Sequence, residues 1–82
     1  MKVAELEFLG RLSDIFGSTQ SLALPNDVET VAKLKAWLDS SYDTNALSNK
    51  SIRAVVNNAM TQDNFRINNT DKIAFFPPVG GG

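Results

Sequence analysis

Few residues in this chain could do chemistry through their side chains. It contains no cysteine and no histidine. That leaves no thiolate to act as nucleophile or metal ligand, and no imidazole to move protons near neutral pH. Zinc, haem and iron–sulfur centres would lack their usual ligands. Glu5 and Glu7 fall two residues apart on one face of a strand and could be mistaken for a catalytic carboxylate pair, but a solvated sheet face explains them. No nucleophile-and-base constellation is visible, which argues against a free-standing enzyme.

The remaining candidate is the end of the chain, Phe75-Phe76-Pro77-Pro78-Val79-Gly80-Gly81-Gly82. Two prolines end a strand and hold the backbone extended. Three glycines follow, with no side chain to obstruct a narrow channel. The stretch from Pro77 to Gly82 reaches at most about 20 Å, enough to carry a terminal carboxylate deep into another protein. Transfer to the α-phosphate of ATP would make that carboxylate an acyl adenylate, which a sulfur nucleophile can attack to leave a thiocarboxylate. Such a carrier needs no cysteine of its own. A glycine-rich terminus alone is weak evidence, since chain ends are commonly disordered; the Phe-Phe-Pro-Pro-Val approach makes this one specific.

The elements that must hold this end in place follow from periodicity. Lys2 to Phe8 alternates Val3, Glu5 and Glu7 against Ala4, Leu6 and Phe8, the pattern of a half-buried strand. Gly10 to Phe16, with Leu12, Ile15 and Phe16, reads as a short helix capped by Gly17. Ser21 to Leu24 is a second strand, ended by Pro25, Asn26 and Asp27. Thr30 is placed to cap a main helix in which Val31, Leu34, Leu38 and Tyr42 recur at helical spacing, with Trp37 beside Leu38 and with Lys33, Lys35 and Asp39 on the other faces. Asp43 to Ser51 is polar loop. Ile52 to Asn57 is strand-like, with a tight turn expected at Asn58 and Ala59 before Met60 to Gln62. Asp63 to Thr70 is loop, and Lys72 to Phe76 is a last strand.

This order predicts an α+β fold, a mixed sheet packed on one main helix. Val3, Val55 and Ile73 are expected to face Leu34 and Leu38. Phe75 shares a face with Ile73 and belongs to the core; Phe76 falls on the other face beside the root of the tail. There it either anchors a partner or covers the edge of a small core, and the enrichment of aromatics at interfaces favours the partner role. Residues 1–76 form the expected domain and 77–82 a flexible tail.

The ending Phe-Phe-Pro-Pro-Val-x-Gly-Gly, with Gly80 as x, resembles the molybdopterin synthase small-subunit family. Asp71 to Ala74, Ala54 to Asn57 and the Arg11-Leu12 to Gly17 segment extend the likeness. Asn58 stands where a glycine is common, and Thr70 precedes Asp71 where Gly-Asp is usual; both departures touch turns. The resemblance implies a β-grasp, ubiquitin-like fold and a sulfur-carrier role. Gly82 would carry the adenylate and then the thiocarboxylate, with Gly81 accompanying it in the partner's channel. Gly80, Val79, Pro78, Pro77 and Phe76 would complete the partner-binding stretch. The implied partners are a ubiquitin-activating-type adenylating enzyme that uses ATP, and the large synthase subunit in a heterotetramer. There sulfur would pass to cyclic pyranopterin monophosphate to form the molybdopterin dithiolene. No cofactor is expected on the chain itself.

Composition agrees with a carrier and leaves other readings open. The 82 residues allow one domain, 43% of them are hydrophobic and the net charge is −1. The basic residues are scattered rather than massed, which disfavours nucleic acid. No apolar run approaches a membrane span and the start lacks a secretory layout, so a cytoplasmic location is expected. A sulfur carrier for thiamine thiazole synthesis or tRNA thiolation shares the di-glycine end. A ubiquitin-like binding or conjugating module would use the same fold and tail.

Overall fold

A computed structural model describes residues 2–48, 52–69 and 71–77. The chain order is β1 (Lys2–Phe8), α1 (Leu12–Phe16), β2 (Thr19–Leu24), α2 (Val31–Ser41), β3 (Arg53–Val56), β4 (Ala59–Thr61) and β5 (Lys72–Phe76). The strands form one sheet in the order β2-β1-β5-β3-β4. β1 and β5 run parallel at its centre, and the other neighbours pair antiparallel. A parallel pair needs a long crossover. Here everything between the first strand and the last supplies it, with α2 laid across the inner face. This is the expected β-grasp arrangement.

The alternation in β1 sets the two faces of the sheet. Ala4, Leu6 and Phe8 are buried, while Val3, Glu5 and Glu7 are exposed. From the other strands Leu24, Ala54, Val56, Ile73 and Phe75 join the inner face and meet Val31, Leu34 and Leu38 of α2. Phe8 is stacked between Phe16 and Phe75, with ring centroids 4.7 and 5.5 Å away, and Tyr42 meets Phe16 edge-on at 4.9 Å. Such ring pairs add stabilisation beyond the area they bury.

The helix begins where its cap dictates. Thr30 is extended and its Oγ1 accepts a hydrogen bond from the Lys33 amide at 3.2 Å. The segment after β4 then straps the same end. Val31 and Ala32 donate their amides to the Phe65 and Asp63 carbonyls, and Ile67 donates back to Glu29. Two amides that lack partners within a helix are satisfied in this way. The strap also drives Ile67 into the core, where it is buried. The expected polar loop therefore includes a structural residue.

Four expectations need correction. Val3 is 42% exposed and Val55 half-buried, both on the outer face, so neither meets α2. Strand parity decides this: once Ala54 and Val56 sit opposite Phe75 and Ile73, Val55 must point outward opposite Ala74. Lys35 and Asp39 are buried rather than surface groups. The Lys35 Nζ donates to the Ile52 carbonyl at 3.0 Å and to Asp63 Oδ1 at 2.9 Å. Asp39 Oδ1 accepts the Leu47 amide at 3.0 Å, tying the loop after α2 to the helix. The hairpin turn lies at Asn57 and Asn58, with φ of 52° and 71°, and Ala59 already belongs to β4. Two successive positive φ values are what a tight two-residue hairpin requires, and asparagine tolerates them. Finally, β2 starts at Thr19, earlier than its apolar pattern shows, because Gln20 and Thr19 complete the ladder to Leu6 and Glu7.

Candidate functional site

The site is built on the end of β5. That strand is paired on both flanks: Phe75 lies opposite Phe8 of β1 and opposite Ala54 of β3. The Leu9 amide then donates to the Phe75 carbonyl at 3.1 Å, carrying the ladder one step past β1. Phe75 is completely buried and Phe76 is 39% exposed, as their opposite faces predict. Pro77 cannot donate to a ladder, so the strand stops there, half-buried. The remaining expected site residues, Pro78, Val79, Gly80, Gly81 and Gly82, lie outside the described residues.

Phe76 is not alone on the outer face. Register places Arg53 opposite it, and one row further along places Ala74 opposite Val55, which in turn faces Met60. Met60 is 69% exposed. These residues make an apolar strip across β5, β3 and β4, with one basic residue beside the tail root. An exposed strip of this kind next to a strand end is what a partner surface needs. Sequence reading found Phe76 but missed Val55 and Met60. Their membership depends on the β3–β5 register, which no local pattern specifies.

Continuous with the strip through Val55 and Ala74 is a shallow concavity of about 630 Å³, lined also by Glu5, Glu7, Asn57 and Lys72. Glu5 and Lys72 are ladder neighbours with both side chains on this exposed face. The two glutamates therefore stand on an open polar surface, as the solvated-face reading expects. Among the described residues no group of histidine, cysteine, aspartate or glutamate could hold a metal ion. Among the described residues no helix is long and apolar enough to cross a membrane.

Solved structures share this architecture. A Pyrococcus furiosus protein provisionally assigned as molybdopterin converting factor, subunit 1, superposes with a TM-score of 0.77 at 14% identity, over 96% of this chain and 100% of that one. The small archaeal modifier protein 1 of Haloferax volcanii matches with a TM-score of 0.78 at 19% identity, over 96% of this chain and 100% of its own. The corresponding protein of Methanosarcina acetivorans matches with a TM-score of 0.75 at 20% identity, over 100% of this chain and 98% of its own. At these identities the likeness establishes the β-grasp fold alone. No curated protein matches the sequence. The ThiS family model, however, matches residues 6–82, which takes in the tail as well as the domain, and the chain belongs to that family of ubiquitin-like sulfur carriers.

Proposed function

We propose that this chain is the sulfur-carrier subunit of a molybdopterin synthase and that Gly82 is its working residue. The observation that carries the proposal is the Phe-Phe-Pro-Pro-Val-Gly-Gly-Gly ending on a central strand. An oxygen of the Gly82 carboxylate attacks the α-phosphorus of ATP on an adenylating enzyme and displaces pyrophosphate. Sulfur at the oxidation level of hydrosulfide then attacks the acyl carbon and displaces AMP, leaving a thiocarboxylate. The large synthase subunit receives the tail, and the sulfur is passed to cyclic pyranopterin monophosphate. Acid–base groups come from the partners, consistent with a chain lacking cysteine and histidine. Phe76, Pro77 and the residues to Gly82 form the partner-binding stretch, with the Val55 and Met60 strip beside it.

The test is the intact mass of the chain after incubation with ATP, an adenylating enzyme and a sulfide donor. One oxygen replaced by one sulfur, mapped to Gly82, is the expected result. Removing Gly81 and Gly82 should abolish the gain while leaving thermal unfolding unchanged. Loading that survives the deletion refutes the role of Gly82. Complementation of strains lacking molybdopterin, thiazole or tRNA-thiolation carriers then tells the pathways apart.

The likeness to small archaeal modifier proteins favours a second reading, in which the tail is joined to lysines of other proteins. Trypsin cutting after Lys72 would leave Ile73 to Gly82 on the acceptor lysine. Peptides branched in that way, with no thiocarboxylate on the free chain, would establish the modifier role instead.

A further inference from the structure

We propose that Gly10 is a positioning residue that sets the direction in which the tail leaves the domain. The inference rests on the reading of the tail as the working part of the chain. Gly10 lies in the turn between β1 and α1, next to Leu9, whose amide holds the end of β5. Its own carbonyl is fixed by the Ser13 amide at 3.1 Å and the Ser13 hydroxyl at 2.8 Å. The turn is thus pinned on both sides of its α-carbon.

The bare α-carbon of Gly10 faces the Pro77 ring. A Cβ added there would lie 3.0 Å from Pro77 Cγ and 3.7 Å from Pro77 Cδ. Pro77 has little freedom to move aside. Its own φ is fixed by its ring, and the proline after it restricts its ψ. Phe76 is held extended by the same effect and by the β3–β5 ladder. To restore ordinary contact the ring must give by a few tenths of an ångström, which turns the backbone at Pro77 where the chain leaves the strand. A misplacement of about 1 Å at reacting atoms costs on the order of a hundredfold in rate, so a smaller shift at the root of the tail should cost several-fold.

Gly10 also has φ of +56°, so backbone preference alone could explain a glycine here. A double-mutant cycle separates the two causes. Gly10→Ala introduces both the strain and the contact with the ring. In a Pro77→Ala background the ring atoms are gone, so only the strain remains. Gly17→Ala is the control for strain elsewhere: Gly17 has φ of +85°, and its added Cβ would meet only the Gln20 Nε2 at 3.3 Å.

The readouts are adenylation of the intact chain by an adenylating enzyme that loads it, and nuclear Overhauser contacts between position 10 and the Pro77 ring protons. Gly10→Ala should lower kcat by more than about threefold while KM stays within about twofold, because the docking strip is untouched. The same change in the Pro77→Ala background should alter kcat by less than about twofold, and Gly17→Ala should leave loading unchanged. Equal losses in both backgrounds, or loading by Gly10→Ala within about twofold of the parent, would overturn the proposal. Should no adenylating enzyme load the parent chain, the carrier reading fails on its own. The Overhauser contacts then decide the positioning claim: absent contacts between Gly10 and Pro77 in the parent overturn it.

Discussion

Phe75 and Phe76 are adjacent in sequence and face opposite sides of β5, so truncating each should give opposite phenotypes. Phe75 is completely buried and stacks on Phe8. Phe75→Ala removes a ring from the middle of the core, a change that costs about 3–5 kcal/mol. A chain of this length has about 4–12 kcal/mol to lose, and the melting temperature should fall by about 12 °C or more. Phe76 is 39% exposed; with about 200 Å² for a phenylalanine, some 80 Å² remains to be covered by a partner. At about 25 cal/mol per Å² that area stabilises a complex by about 2 kcal/mol, or on the order of 30-fold in affinity. Truncation of Phe76 leaves no closed cavity, so Phe76→Ala should cost the free domain about 1 kcal/mol. Denaturant titration followed by fluorescence of Trp37, the single tryptophan, measures the first quantity. The KM for adenylation measures the second. A Phe76→Ala domain as unstable as Phe75→Ala, or one loaded with unchanged KM, would refute the assignment of the two faces.

Further outcomes test the buried polar groups and the hairpin turn. Asp39→Ala should cost about 1–3 kcal/mol by orphaning the buried Leu47 amide, whereas Asp39→Asn keeps the acceptor and should stay within about 1 kcal/mol; hydrogen exchange at Leu47 should distinguish them. Lys35→Met should cost about 1–3 kcal/mol in denaturant titration, since it leaves the buried Ile52 carbonyl without its donor; Asp63, with a side chain 58% exposed, should cost less than about 1 kcal/mol when changed to alanine. Asn58→Gly should raise stability by up to about 1 kcal/mol in thermal melts by relieving a φ of 71°, and Asn58→Val should lower it.

The strands and the main helix were legible because each carries its own period. β1 and β5 have the bounds that their alternation and prolines predict, and Thr30 caps α2 as its position before Val31 predicts. Wherever an answer depended on a partner strand or loop, the sequence was silent. Val55 is as apolar as Val56, and only pairing with β5 decides which of them faces α2. Lys35 and Asp39 look like surface charges until Ile52, Asp63 and Leu47 are brought to them from other segments. Ile67 reads as part of a polar loop until its amide bonds to Glu29. The candidate site divides in the same way: the tail motif is local and readable, while the pairing that brings Val55 and Met60 beside Ala74 and Phe76, and the approach of Gly10 to Pro77, span long separations.

Under the proposed function, the placement of β5 explains how the chain contributes to a reaction whose acid–base groups come from its partners. A tail attached to an edge strand would start from a ladder held on one side, and edge and terminal segments are the first to open. β5 instead sits between β1 and β3, and its buried face holds Ile73 and Phe75. Local opening at Phe75, next to the root of the tail, therefore has to break pairing on both flanks and disturb the phenylalanine stack. Under the proposed function, what the domain supplies to its partners is a fixed origin for the tail, next to a surface that docks. Chemistry at Gly82 would then depend on residues such as Phe75 and Gly10 that never meet the substrate, and their substitution should alter loading through the position of Pro77.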